Sequence, residues 1–237
     1  MISKSTLILA QKTLNQKNFE EGKNKDEQDR VLLIDKPYDW TSFDVVRKVR
    51  NVLKIHKIGH AGTLDPLASG LLILCTGKFT KKINEYMASE KEYIGSFTLG
   101  ATTPTYDLES EPENFLPFDH LTEPEIVQAT APFTGDILQV PPMHSAIKKD
   151  GKRVYKLARQ GKEIELEPRK IQIKEFVITK IELPLVHFRI VCSTGTYIRS
   201  IANDYGKVLG CGAYLSGLVR TRIGEFELKD AVKVGDL

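Results

Sequence analysis

The segment from Gly59 to Gly70 holds residue types that could do chemistry, and its one acidic residue is Asp65. Two glycines precede this acid and permit backbone angles or a close ligand approach that side chains would prevent. Pro66 biases Asp65 towards an extended conformation. The pattern predicts a carboxylate held on a defined loop, where it could act as a nucleophile or stabilise positive charge. An ordinary Asp-Pro turn, whose carboxylate bonds only its own backbone, fits the same spacing.

Other apparent catalytic motifs fail on their spacing or composition. The segment Gly77-Lys78-Phe79 suggests a phosphate loop, but it has Phe where Ser or Thr would bind magnesium. His56 and His60 have the separation of zinc-protease ligands, yet no Glu follows His56, and Gly59 would interrupt the helix. Neither a phosphate loop nor a zinc-protease helix is therefore predicted.

Composition indicates a globular chain with no extreme bias. Its 237 residues are 41% hydrophobic and carry a net charge of +3, so nucleic-acid binding would need a local patch. The range from Arg47 to Lys57 has five basic residues and no acidic one, so it could contact phosphates or could be an ordinary solvated helix face. The apolar run Leu71–Cys75 is too short to span a bilayer, and no signal peptide is recognised, so we expect no membrane association. An odd number of scattered cysteines favours the cytoplasm: Cys75, Cys192 and Cys211.

The elements that must position Asp65 follow from hydrophobic periodicity. An apolar strand over Val31–Asp35 leads to Thr41, which with Asp44 forms a capping box at the start of a helix. Thr122 predicts a second helix start, Asp150-Gly151 a tight turn, and Tyr197–Leu209 a further helix. The other predicted strands are Lys91–Leu99, Arg169–Leu183, Val186–Ser193, Ala213–Arg222 and Glu225–Leu228. This order predicts an α+β fold with a mixed, largely antiparallel central sheet flanked by helices and loops. Polar residues 1–29 predict a flexible tail, and residues 30–237 one catalytic domain.

The Asp65 segment resembles the catalytic motif of the TruB family, the tRNA pseudouridine-55 synthases. Five further blocks resemble family motifs in the family's order: Leu32–Pro37 with Thr41–Val46, Lys91–Tyr93, Val140–Pro142 with Ser145–Lys148 and Gly151–Arg159, Gly195–Arg199 with Asp204 and Gly206, and Leu215–Gly224. Two positions depart from the pattern, since His144 replaces an aromatic residue and Pro104 an acidic one, while Asp107 is retained. The chain resembles the short bacterial form that lacks a C-terminal RNA-binding PUA domain.

This resemblance implies a pseudouridine synthase fold and an isomerase that acts on the uridine at position 55 in the T-arm loop of tRNA. It implies base flipping, no cofactor or metal, a tRNA partner, no required protein partner, and a monomer. It assigns catalysis to Asp65. The implied substrate-binding residues are Tyr93 (stacking on the flipped base), Tyr197 (lining its pocket), Arg199 (partner of the Asp65 carboxylate), His60 (filling space opened in the RNA) and Leu218 (packing on the base).

The residues by themselves allow plainer roles. Tyr93 and Leu218 could be core residues, His60 a packed histidine, and Arg199 a surface arginine on a first helical turn. Two other functions remain open. One is an RNA-folding chaperone with secondary or no catalysis. The other is a nucleosidase, which as a retaining enzyme would need a second carboxylate about 5–5.5 Å from Asp65. No motif supplies that carboxylate.

Overall fold

A computed structural model describes residues 29–145, 148–149, 152–154 and 166–237. The predicted tail lies outside these residues except for Asp29, as does the predicted turn at Asp150-Gly151. Internal contacts divide the chain into two compact units. The first holds residues up to Tyr93 together with Val219–Leu237, and the second holds Ile94–Leu218. A single catalytic domain over residues 30–237 stays a prediction.

The described residues form twelve strands and four α-helices. The strands are β1 Val31–Lys36, β2 Ile58–Ala61, β3 Ala68–Thr76, β4 Lys91–Leu99, β5 Gly135–Gln139, β6 Lys148–Lys149, β7 Lys152–Arg153, β8 Arg169–Glu182, β9 Leu185–Cys192, β10 Ala213–Ile223, β11 Phe226–Glu227 and β12 Val232–Lys233. The helices are α1 Ser42–Leu53, α2 Ile83–Ala88, α3 Glu123–Gln128 and α4 Ile198–Leu209. Strands β4 and β10 each contribute residues to both units.

In the first unit, the strand order is β12-β1-β3-β10, with β2 also paired to β3. Strand β1 runs parallel to β12 and antiparallel to β3. Alternate residues of β1 enter two apolar clusters, with Leu33 in one and Leu32 in the other. Because β1 is buried on both faces, it reads as a continuous apolar run rather than an alternating one.

Helix α1 begins where the capping box predicted. The Thr41 hydroxyl accepts a hydrogen bond from the Asp44 amide at 3.0 Å, and the Asp44 carboxylate accepts one from the Thr41 amide at 3.0 Å. The Thr41 hydroxyl also donates to the Asp44 carboxylate, and this bond, together with the one from the Thr41 amide, lowers the pKa of Asp44. The helix ends at Lys54, which adopts a left-handed φ of 52°. Val45, Val46 and Val49 are buried, so α1 covers the first unit's sheet and exposes its basic residues.

In the second unit, the strand order is β10-β4-β9-β8-β5. Strand β9 is antiparallel to β8, and β5 is antiparallel to β8. The core is aromatic: the rings of Phe97 and Phe188 stack with centroids 4.3 Å apart, and Phe176 and Tyr205 pack beside them. The Tyr205 hydroxyl donates to the Ile126 carbonyl at 2.6 Å and so ties α4 to α3.

The predicted α+β class is confirmed, because antiparallel pairs dominate a sheet that also contains the parallel β1–β12 pair. The strands and helices named from the sequence are present with small shifts at their ends. Tyr197 precedes α4 as its N-cap residue instead of opening the helix. None of the helices in the described ranges combines the length and hydrophobicity that crossing a membrane requires.

Candidate active site

The loop that carries Asp65 joins β2 to β3 and is fixed by the first residue of α1. The Ser42 hydroxyl accepts a hydrogen bond from the Leu64 amide at 2.9 Å and donates one to the Leu64 carbonyl at 3.1 Å. Ser42 and Leu64 are both buried, whereas Asp65 is half-buried. The residue before the acid is therefore held in place, while Asp65 itself is only partly buried.

A buried lysine holds the other side of the same loop. Lys36 is 0% exposed, and its ammonium group donates to the carbonyls of Pro66 at 3.1 Å, Pro37 at 3.0 Å and Trp40. The Pro66 carbonyl also accepts the Asp39 amide at 2.9 Å. Burial lowers the pKa of Lys36 to about 8, although the negative charge of Asp65 acts to raise it. Lys36 thus places a cation beside the loop of Asp65.

A second buried cation, Arg220, approaches the start of the loop. It is 1% exposed and donates to the carbonyls of Leu71 at 2.8 Å and Gly62 at 3.1 Å. Gly62 has a φ of +93°, which explains the need for glycine there. Burial and the nearby Arg220 charge lower the pKa of His60, which favours a neutral imidazole. The His60 Nδ1 is buried with no hydrogen-bond partner among the described residues.

The remaining residues assigned by resemblance divide between the two units. Tyr93 lies on β4 in the first unit and is 8% exposed, which is compatible with a core position. Leu218 lies on β10 in the second unit and is half-buried. Tyr197 and Arg199 lie in the second unit at the start of α4. Asp65, His60 and Tyr93 thus belong to one unit, and Tyr197, Arg199 and Leu218 belong to the other.

Arg199 is not the surface arginine that its helix position allowed. It is 5% exposed, and its Nε lies 3.5 Å from a carboxylate oxygen of Asp107, which is 4% exposed. The guanidinium also donates to the carbonyls of Thr105 at 3.3 Å and His144 at 3.2 Å. The other Asp107 oxygen accepts the Glu109 amide at 3.0 Å. These contacts fix both the position and the orientation of the guanidinium plane.

Gln139, the last residue of β5, fixes the backbone from which Tyr197 projects. Its side-chain nitrogen donates to the Tyr197 carbonyl at 3.0 Å, and its side-chain oxygen accepts the Tyr197 amide at 2.8 Å. The Ser200 hydroxyl donates to the Val140 carbonyl at 2.8 Å. The first turn of α4, with Arg199, is therefore attached to the end of β5.

Sequence reasoning missed five residues that organise these groups: Lys36, Ser42, Asp107, Gln139 and Arg220. Lys36, Ser42 and Arg220 lie inside the blocks that resemble family motifs, and Asp107 was noticed only as retained. A Lys placed at the end of an apolar strand was a usable signal, since a lysine is almost never fully buried without partners. Within the described residues, no three His, Cys, Asp or Glu side chains cluster as metal ligands would.

The chain is also similar to known proteins over most of its length. The model of the TruB family pseudouridylate synthase N-terminal domain matches residues 50–198. A protein named tRNA pseudouridine synthase B from Flavobacterium johnsoniae is 53% identical over 212 residues, which cover 86% of this chain and 93% of that protein. Its namesake from Phocaeicola vulgatus is 48% identical over 224 residues, with 92% of each chain covered.

A solved structure shares the architecture. It is an H/ACA RNP bound to a substrate RNA containing 2′-deoxyuridine, and one of its chains is 29% identical with a TM-score of 0.65. The match covers 87% of this chain but only 51% of that one, so this chain spans about half of its length. The family model covers more than half of this chain, and the bacterial relatives are about half identical almost end to end. This chain therefore belongs to the TruB family of pseudouridylate synthases and has the pseudouridine synthase fold.

Proposed function

We propose that this protein is a tRNA pseudouridine synthase that isomerises the uridine at position 55 in the T-arm loop, with Asp65 as the catalytic carboxylate. The observation that carries the proposal is the fixed loop of Asp65. Ser42 and Lys36 hold the residues on both sides of the acid, and Asp65 itself is half-buried rather than enclosed in the core. The TruB membership and the names of the bacterial relatives support the reaction and the tRNA substrate.

The reaction suits a carboxylate acting without a cofactor. The bond between ribose C1′ and uracil N1 breaks, the base turns, and a bond from C1′ to C5 forms. The hydrogen leaves C5 and N1 gains one, so atoms and electrons balance without a redox partner. A carboxylate can stabilise the separated fragments as a nucleophile towards either the base or C1′. The buried ammonium group of Lys36, which interacts electrostatically with Asp65, favours a negative group on this loop.

Access to the uridine requires the base to leave its stack, which costs a few kcal/mol. Stacking on an aromatic side chain returns about 1–3 kcal/mol per base. We assign this stacking to Tyr93 and the lining of the base pocket to Tyr197 and Leu218. His60, neutral because its pKa is lowered, fills the space that the base leaves.

Arg199 supplies positive charge to the reacting groups. Its guanidinium is held by Asp107 and by two carbonyls, so its orientation is set before the RNA binds. Preorganised charge of this kind contributes to catalysis because no reorganisation is needed during the reaction. The tRNA substrate also leads us to place the enzyme in the cytoplasm, acting as a monomer.

The exposed basic face of α1 is proposed to follow the phosphate backbone of the tRNA. Arg47 and Lys54 are exposed there and Arg50 is half-buried. Phosphate contacts of this type supply affinity that is independent of sequence and sensitive to salt.

The decisive experiment is to incubate the protein with an unmodified tRNA transcript and to map pseudouridine at nucleotide resolution. We expect product at uridine 55 from the wild-type protein, and none from the Asp65→Asn variant, which should still bind the transcript. Near-normal product from Asp65→Asn would exclude the proposed mechanism. Binding without product from the wild type would instead support an RNA chaperone, and release of free uracil would support a nucleosidase.

A further inference from the structure

An open pocket of about 290 Å³ lies in the first unit beside the N-terminal half of α1. Its lining residues are Asp39, Trp40, Asp44, Arg47, Lys48 and Asn51. None of them belongs to the site residues assigned above to the reacting uridine. The volume is close to the lower end of the range for small-molecule sites, roughly 300–1,000 Å³, so the pocket suits one small group.

The pocket is lined by two acidic and two basic side chains, and these differ in how far they are already engaged by protein partners. The Asp44 carboxylate is occupied, because one oxygen accepts the Thr41 amide at 3.0 Å and the other pairs with Arg47 at 2.7 Å. Arg47 has further N–H groups, and Lys48 and Asn51 add an ammonium and an amide. Asp39 contributes acceptor oxygens. The pocket therefore offers donors for a phosphate together with an acceptor for a hydroxyl or amino group.

Aromatic surface lies at the same place. Trp40 is half-buried and packs against the apolar cluster beneath α1, which restricts its motion. Phe43 and Tyr38 lie close to Trp40 in the chain, outside the residues that line the pocket, and are 60% and 57% exposed. A flat ring, phosphate donors and a hydroxyl acceptor together match a nucleotide better than a bare anion.

The wall of this pocket is tied directly to the loop that carries Asp65. The Asp39 amide donates to the Pro66 carbonyl at 2.9 Å, and Lys36 bridges the carbonyls of Pro66 and Trp40. A ligand here would lie on a surface whose backbone is bonded to the residue following the acid. An RNA strand that delivers one nucleotide to Asp65 would therefore bring others towards this pocket.

We propose that this pocket is a second nucleotide-binding site, which takes one unpaired nucleotide of the substrate RNA other than the reacting uridine. The inference rests on the proposed function for its ligand, RNA, but not on the chemistry of Asp65. Its base stacks on Trp40, its phosphate contacts Arg47 and Lys48, and its ribose hydroxyl or base donates to Asp39. The 2′-hydroxyl is a donor that DNA lacks.

Trp40 is the sole tryptophan of the chain, so intrinsic fluorescence reports on this pocket. The test titrates the Asp65→Asn variant, which prevents turnover, with unmodified tRNA transcript. We expect saturable quenching of the emission and protection of Trp40 from acrylamide, while inorganic phosphate alone leaves the emission unchanged. Unchanged emission at RNA concentrations that saturate binding in a filter assay would refute the proposal, and full quenching by phosphate would refute a nucleotide as the ligand.

Paired substitutions test the contacts. Lys48→Gln combined with Asn51→Ala should raise the dissociation constant for the transcript about tenfold, the ratio that corresponds to roughly one charge-assisted hydrogen bond. Lys207→Gln is the matched control, because Lys207 is an exposed helical lysine in the second unit, paired to Asp204. The Lys207→Gln variant should change the dissociation constant for the transcript less than twofold. An equal loss of affinity in the pocket variant and in this control would show that the pocket makes no specific contact with the RNA.

The two proposals can fail separately. Formation of pseudouridine at the expected uridine without any change in Trp40 fluorescence would support the proposed function and refute the second nucleotide-binding site. Quenching of Trp40 by RNA, with no pseudouridine formed by the wild type, would support the second nucleotide-binding site and refute the proposed function. Circular dichroism and thermal unfolding of each variant show whether a loss reflects the contact or the fold.

Discussion

Arg199 is placed where its own helix disfavours it, since a cation in the first turn faces the positive end of the helix dipole. The ion pair with Asp107 and the carbonyls of Thr105 and His144 overcome that disadvantage. Sequence alone indicated that such an arginine needs a specific partner. The family resemblance named Asp65 as that partner, whereas residue spacing could not indicate Asp107 or Thr105, which lies 94 positions away in the chain.

Lysine cannot reproduce this arrangement, although it keeps the charge. A guanidinium has a planar fork that contacts several acceptors at once, whereas an ammonium is a compact point charge on a flexible stem. We expect Arg199→Lys to lower kcat tenfold or more, because one lost charge-assisted hydrogen bond costs about 1.5–3 kcal/mol. Single-turnover kinetics with tRNA would measure this loss of rate. Wild-type rates in that variant would remove Arg199 from the active site.

The buried Lys36 predicts that the free energy of unfolding depends on pH. Its pKa is about 8 in the folded protein and near 10.4 in an unfolded chain. Below pH 8 both states carry the proton, so stability does not change with pH through this group. Between the two values the unfolded chain binds more protons, so the free energy of unfolding rises with pH. The full rise is about 3 kcal/mol.

Other groups titrate in the same window, so the quantity to measure is a difference. The test is to measure the free energy of unfolding of the wild type and of Lys36→Met by urea denaturation between pH 7 and 10.5, and to follow the difference between them. The wild type should gain stability relative to the variant as pH rises through 8 and above. A difference that stays constant over this window would show that Lys36 has an ordinary pKa.

At the scale of elements, each of the two units fixes a backbone segment in the same way. Ser42 binds both backbone groups of Leu64, and Gln139 binds both backbone groups of Tyr197. Each side chain replaces a backbone partner where a strand or loop would otherwise leave buried polar groups unsatisfied. The loop before Asp65 and the first turn of α4 are thereby fixed without regular pairing.

Replacing Gln139 by Met removes both hydrogen bonds and keeps most of the volume. We expect the free energy of unfolding to fall by about 2 kcal/mol or more, since an unsatisfied buried group costs about 1–3 kcal/mol. We also expect kcat to fall more than KM changes, because Arg199 follows Tyr197 on the same turn. Gln172→Met is the control, since Gln172 is exposed and its side-chain nitrogen donates to the surface residue Asp136 rather than to a buried backbone group. Equal effects of the two substitutions on kcat would contradict a positioning role.

The same scale shows what sequence could and could not predict. Both capping boxes, the paired strands β8 and β9, and the class of the sheet follow from short-range patterns, and they are present. The hydrogen bonds that build the candidate site join residues far apart, such as Gln139 and Tyr197, separated by 58 positions. Periodicity holds no information on such pairs. The resemblance to family motifs, rather than spacing, directed attention to Asp65.

For the whole molecule, a net charge of +3 gives little general attraction to RNA. Affinity must instead come from a local concentration of charge. Helix α1 and the residues that follow it supply one, because the stretch from Val45 to Leu64 contains five Lys and Arg residues and no Asp or Glu. The apolar side of that helix is buried, so these cations are directed away from the core of the first unit.

Salt dependence measures how many phosphates such a surface contacts. Each phosphate contact contributes about 0.7–0.9 to the slope of log K against log salt concentration. Changing Arg47, Arg50 and Lys54 together to Gln should therefore reduce the magnitude of the slope by about 2–3 for tRNA binding. The control changes Lys170, Lys180 and Lys207, three exposed lysines of the second unit, to Gln. If both triple variants reduced the slope equally, the attraction would come from total charge and α1 would have no special role. If neither did, the basic face of α1 would not contact RNA phosphates.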